Sequence, residues 1–170
     1  MIERHYLDDS LFQLRKLKTQ ADKAMAQVDD AQFFALIDDG ANSIALVVKH
    51  MTGNMRSRWT DFLTSDGEKP DRDRDSEFEL EGADTREAML ARWEVAWELL
   101  FRTIGALAPG DLVRTVTIRN EPHTVVQAIN RQVSHYSAHV GQIVLLAKHL
   151  AGSRWQTLSI PKNRNRRIGE

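Results

Sequence analysis

The sequence predicts an all-α fold: a four-helix bundle with a long crossover between helices two and three and a short β-hairpin before helix four. Three observations predict it. Apolar residues recur every three or four positions through four long stretches, the spacing of one buried helix face. Only four prolines and nine glycines occur in 170 residues, most of them between those stretches. Two segments break the helical pattern, one dense in charge and one alternating and β-branched.

The first helix runs from about Asp8 to Val28, with Leu11, Leu14, Leu17, Ala21, Ala24 and Val28 on one face. A short apolar piece, Phe33–Ile37, closes at the turn-like Asp38-Asp39-Gly40. The second helix starts near Asn42, a favoured N-cap residue type, and continues to about Leu63. From Asp66 to Glu79, ten of fourteen residues are charged, seven acidic and three basic, with Gly67 and Pro70 among them. Periodicity is absent there, so the segment reads as a solvated connection. At roughly twenty residues it exceeds the usual helix–helix loop and can cross the end of a bundle.

Asp84 and Glu87 are spaced for a capping box, and the third helix then passes through Met89, Leu90, Trp93, Trp97, Leu100 and Ile104 to Gly105. Leu112–Ile118 alternates and is rich in β-branched residues, and with His123-Thr-Val it predicts the hairpin. The fourth helix follows Pro122 and extends to about Gly152. An antiparallel first pair and last pair, joined by the crossover, let the middle helices run parallel. One domain covers residues 1–170, with 162–170 as a basic surface tail.

Composition excludes several function classes. Lysine plus arginine number 23 against 24 acidic residues, a net charge of −1, which argues against duplex DNA or an anionic membrane as partner. The longest apolar runs, Ile44–Val48 and Ile143–Ala147, are far too short to span a bilayer. The opening MIERHYLDDS lacks the apolar stretch of a secretory signal, so the expected location is the cytoplasm. There is no cysteine, hence no disulfide framework, no thiolate ligand and no cysteine nucleophile within the chain. The Trp93/Trp97 pair suits either a core or a homodimer face.

The last helix carries the chemistry. Its apolar seam is Ile129, Val133, Tyr136, Val140, Ile143, Ala147 and Leu150; the seam beside it holds Ala128, Gln132, His135, His139, Gln142 and Leu146. Polar groups at a core edge require partners. His135 and His139 differ by about 40° of rotation and 6 Å of rise, so both imidazoles reach one ion or else hydrogen-bond at a wet helix edge. On the second helix, His50 sits in the same relation to the stripe Ile44, Val48, Met51, Met55 and Phe62. Three imidazoles at matching depth give three neutral ligands and an open fourth position, the pattern of a catalytic metal site. His5, His123 and His149 read as terminus, hairpin and off-seam residues.

At His135-x-x-x-His139-x-Gly141-Gln142-Ile143 the sequence resembles the DinB/YfiT-like superfamily of four-helix-bundle metalloproteins. Members carry one histidine in the second helix and a pair four apart in the last, which His50 and His135/His139 match one for one. Gly53-Asn54 with Arg58-Trp-Thr-Asp-Phe62, the Asp66-Gly-Glu-Lys-Pro70 loop, Arg119 with Pro122-His-Thr-Val125, and Leu158-Ser-Ile-Pro161 resemble a functionally uncharacterised branch. The resemblance covers about residues 5–161, and the basic ending departs from it. It implies a divalent metal (zinc first, with nickel, iron or manganese as others) and frequent dimerisation. It also implies relatives that are thiol-dependent transferases and isomerases using bacillithiol, mycothiol or glutathione.

A cation held by three neutral histidines stabilises a bound thiolate or hydroxide at neutral pH. A low-molecular-weight thiol there attacks an electrophilic small molecule; water there makes a hydrolase. No glutamate adjoins the histidine pair, which favours the thiol. Asn54, one turn beyond His50, and Gln142, three residues beyond His139, are placed to hydrogen-bond a ligand or substrate. Arg58 is placed to meet a carboxylate or to pair with the acidic crossover. A different class of reading is a non-catalytic dimeric stress or interaction protein.

Overall fold

Capping and backbone twist decide where each element of the chain begins and ends. The computed structural model describes residues 2–160, so the predicted tail at 162–170 lies outside the described residues. The helices are α1 (Ile2–Met25), α2 (Asp30–Phe34), α3 (Ile44–Trp59), α4 (Arg86–Gly105) and α5 (Val125–Ala151). Strands β1 (Thr115–Ile118) and β2 (Glu121–Thr124) pair antiparallel just before α5. Four long helices and a short hairpin are thus the fold that the sequence predicts.

The boundaries differ in instructive ways. The piece predicted at Phe33–Ile37 forms α2, started by a capping box in which Asp29 and Gln32 exchange side-chain and backbone bonds. The N-cap of α3 is Ser43, not Asn42; its hydroxyl accepts from the Leu46 N–H. The helix stops at Trp59, short of Leu63, because Thr60 is extended and Asp61 turns to a φ of 48°. Thr85, not Asp84, caps α4: the Asp84 carboxylate is taken by Lys49, Arg92 and the Glu81 N–H. Part of the strand predicted from Leu112 is instead a 3-10 turn, Pro109–Val113.

Helix packing is not sequential. The most extensive contacts are α1 on α5 and α3 on α4, and α3–α5 and α1–α4 close the ring. The first and second long helices, α1 and α3, and the third and fourth, α4 and α5, therefore lie diagonally, while α3 and α4 are neighbours. The links through α2 and through the hairpin are long enough to run across the bundle ends. Trp93 and Trp97 are fully buried, edge to face at 5.4 Å, and Trp97 meets the buried Tyr136 at 5.9 Å. That pair is core and presents no dimer face. Among the described residues no helix is long and apolar enough to cross a membrane.

The crossover is not the solvated connection its charge predicts. Gly67 donates its N–H to the Thr117 carbonyl at 2.8 Å, and the Gly67 carbonyl accepts from Ser57 and Arg58. Asp66 accepts from the backbone N–H groups of Arg119 and Asn120 at 2.9 and 2.8 Å. Those two residues have φ values of 56° and 61°, the twist a two-residue hairpin turn needs, and their N–H groups are oriented by it. Burial raises the Asp66 pKa, but these backbone donors and that of Glu68 outweigh it and hold it at about 2. Ionic and backbone bonds fold the segment down over α3, which is why a charge-rich stretch is ordered.

Candidate metal centre

Helices α3 and α5 lie side by side and bring three imidazoles together. His50 is buried on α3; His135 and His139 are half-buried, one turn apart on α5. Nε2 of His135 lies 3.3 Å from Nε2 of His50 and 2.9 Å from Nε2 of His139. A ligand atom from each ring falls within 4.8 Å of the others. A tetrahedral ion with bonds of about 2.0–2.1 Å spaces its nitrogens by roughly 3.3 Å.

The far sides of the rings are held. The Nδ1–H of His50 donates to Glu77 at 2.8 Å, and that of His139 donates to Gln142 Oε1 at 2.8 Å. With their protons on Nδ1, both rings present Nε2 lone pairs to His135. One neutral His135 has one N–H and so satisfies at most one of the two Nε2 contacts. Converging lone pairs of this kind fit a cation, which accepts all three. Burial, reinforced by neighbouring positive groups, lowers the His135 pKa to about 3, and burial also lowers that of His139. Both rings are therefore neutral donors at neutral pH.

The crossover supplies what the sequence reading missed. A 3-10 turn, Asp75–Phe78, lays Glu77 and Phe78 on His50. Phe78 stacks on the imidazole at 4.7 Å. Glu77 is 5% exposed, and Arg72 grips it with two bonds of 2.7 and 2.8 Å. Burial raises the Glu77 pKa, yet the bonds from Arg72 and His50 win and keep it below the usual range. A carboxylate thus adjoins His50 from a distant segment, while among the described residues none contacts the His135/His139 pair. Gly53, mid-helix on α3, makes room: a Cβ there would collide with the Glu77 carboxylate. A glycine inside a helical pattern beside His50 was the available signal, since it marks a close approach.

Asn54, Arg58 and Gln142 all line the cleft that opens on the histidines, a space of about 500 Å³. Asn54 is buried, and its carbonyl accepts from the Tyr136 hydroxyl at 3.0 Å, which in turn accepts from Trp59 Nε1. Arg58 is buried and donates to the Gly67 carbonyl and to Glu68, so its ion pair with the crossover is realised. Gln142 orients His139 from an exposed position. His123 pairs with Val116 in the hairpin, while His5 and His149 are exposed on α1 and α5, and none of the three lines the cleft.

No curated protein and no solved structure matches the chain. A family model matches residues 1–164, nearly its whole length, and the chain belongs to that family, described as Protein of unknown function (DUF1572).

Proposed function

We propose that His50, His135 and His139 bind a divalent cation, zinc first, and that the protein is a metal-dependent enzyme of the DinB/YfiT-like superfamily. In this reading it transfers a low-molecular-weight thiol to an electrophilic small molecule and works as a homodimer. The observation that carries it is the convergence of three Nε2 atoms, two of them fixed as lone-pair donors by Glu77 and Gln142. When bound, the cation lowers the pKa of a thiol or water in its fourth position. The chain contributes the rest: Glu77, Gln142 and Phe78 hold the rings, and the cleft admits the substrate.

Thiol transfer is supported over hydrolysis by the cleft wall, which among the described residues contains no carboxylate. Both Glu77 oxygens are engaged by Arg72, and one of them by His50 as well, so no general base stands ready to activate water. A thiol starts far more acidic than water, so the same cation deprotonates it with less need of a base. Its sulfur bonds the electrophilic carbon, the leaving group departs with the electron pair, and the thiol proton passes to solvent.

Protein purified without an affinity tag is expected to carry about one equivalent of metal, falling to under about a tenth in His50→Ala. It is expected to consume an electrophile such as 1-chloro-2,4-dinitrobenzene only when glutathione, bacillithiol or mycothiol is added. Negligible metal, unchanged by His50→Ala, overturns the metalloenzyme reading in favour of a non-catalytic interaction protein. Ester or amide hydrolysis with no thiol requirement assigns the site to a hydrolase instead.

A further inference from the structure

The cleft before the three histidines is walled by guanidinium groups. Arg58, Arg72, Arg74, Arg119 and Arg131 all line it, and among the described residues no aspartate or glutamate does. Nearby carboxylates offset only part of that charge. Glu68 bridges Arg58, Arg72 and Arg119, and Glu77 takes a second pair from Arg72. Five guanidiniums against these two carboxylates leave three positive charges. Arg74 is half exposed; its guanidinium lies over the Phe78 ring, 5.3 Å from the centroid, and its one ion pair among the described residues is with the solvated Asp75, at 3.8 Å. Arg131 has no ion pair among the described residues.

The wall also contains buried polar atoms without partners. Gln132, one turn before His135 on α5, is 3% exposed and lines the cleft, yet its Oε1 accepts no hydrogen bond. Arg58, 4% exposed, has an Nε–H that donates to nothing. Orphaned buried groups facing a cleft cost free energy unless a ligand or water completes them. Three neutral imidazoles and a divalent cation add positive charge to this wall and offset none.

We propose that the substrate is a small oxyanion, a carboxylate or a phosphate ester, gripped at the cleft mouth by Arg74 and Arg131. A hydroxyl or amide N–H of the same molecule donates to Gln132. Arg58 and Arg72 keep their crossover carboxylates and hold the floor. This deepens the metal-enzyme reading and rests on it only for the use of the cleft as an active site.

The test is calorimetric titration of the untagged, zinc-loaded protein with malate and with glycerol 3-phosphate, using glycerol as the neutral control. At least one anion binds, glycerol does not, and affinity falls as chloride is added. The tighter of the two anions separates carboxylate from phosphate. Arg74→Gln/Arg131→Gln, both exposed and removable without disturbing the core, weakens binding by at least about tenfold with zinc content unchanged. Gln132→Leu weakens it by a smaller factor. Absence of anion binding, or binding unchanged in the double arginine variant with zinc retained, overturns the proposal and leaves the metal reading intact. Arginine-dependent anion binding by a protein that takes up no zinc overturns the metal reading and leaves this proposal standing.

Discussion

Glu77 and Asp84 are two buried carboxylates from the same stretch of chain, and they grip adjacent residues of α3. Glu77 holds His50; Asp84 holds Lys49 at 2.8 Å and Arg92 at 2.5 Å. Successive helix residues diverge by about 100°, so the two acids act on different faces. Lys49 borders an apolar groove between α3 and α4, whereas His50 borders the arginine cleft between α3 and α5. Asp84's partners end in cations, and the interaction stops there as a staple of α3 to α4. Glu77's partner is a ring whose second nitrogen faces two further histidines. A buried charge marks a site by what its partner does at the other end.

Glu77→Ala is the most severe way to break this contrast. It leaves the His50 Nδ1–H unpaired and Arg72 with Glu68 alone, with an expected cost of about 2–4 kcal/mol in urea unfolding and about 10–100-fold in zinc affinity measured by chelator competition. Asp84→Ala is expected to cost about 2 kcal/mol, because Arg92 is half exposed, and to leave zinc affinity unchanged. Equal zinc loss in the two variants would show that both acids support the centre.

Two mid-helix glycines sharpen the comparison by sign. Alanine in place of an exposed helical glycine ordinarily stabilises by about 1 kcal/mol. Gly141 on α5 has open space around it, so Gly141→Ala is expected to raise the melting temperature. Gly53→Ala meets the Glu77 carboxylate and is expected to destabilise by about 1–3 kcal/mol while weakening zinc binding in step. A stabilised Gly53→Ala with full zinc affinity would refute the close approach.

Acid titration gives the smallest effect. Burial raises the Asp84 pKa, but the bonds from Lys49, Glu81 and Arg92 outweigh it and hold it at about 2. Since the folded value lies below the unfolded one of about 4, this contribution is present above pH 4 and lost between about pH 4 and 2. Asp84→Asn should remove about 1–2 kcal/mol of stability at neutral pH and flatten that acid limb. An unchanged limb would mean that the ion pairs contribute nothing net.

The legible parts were those governed by local periodicity. The four long helices followed from three- and four-residue spacing, and His50, His135 and His139 followed from their register one step beside each apolar seam. Caps were less legible: Asn42 and Ser43, or Asp84 and Thr85, are neighbours of equal capping chemistry, and tertiary partners decide between them. Glu77 was invisible because its position depends on a loop folding back across α3, and charge density there resembles a solvated linker. Asn54 lines the cleft, where its sequence position put it, and its carbonyl also takes the Tyr136 hydroxyl from α5, a specific partner that no single-helix pattern contains.

Asp66 joins the crossover to the hairpin tip at a single corner, through the N–H groups of Arg119 and Asn120. The cleft is therefore walled by loops through Arg72, Arg74 and Arg119 and by α5 through Arg131 and Gln132, while the histidines stand on helices. Such a division separates reactivity from selectivity in part. Arg119 at the hairpin tip lines the cleft and touches none of the three rings, so a charge change there alters the entrance alone. A change at Glu77 or Phe78, by contrast, reaches His50 directly. Selectivity and ring position can be edited separately only on the hairpin side.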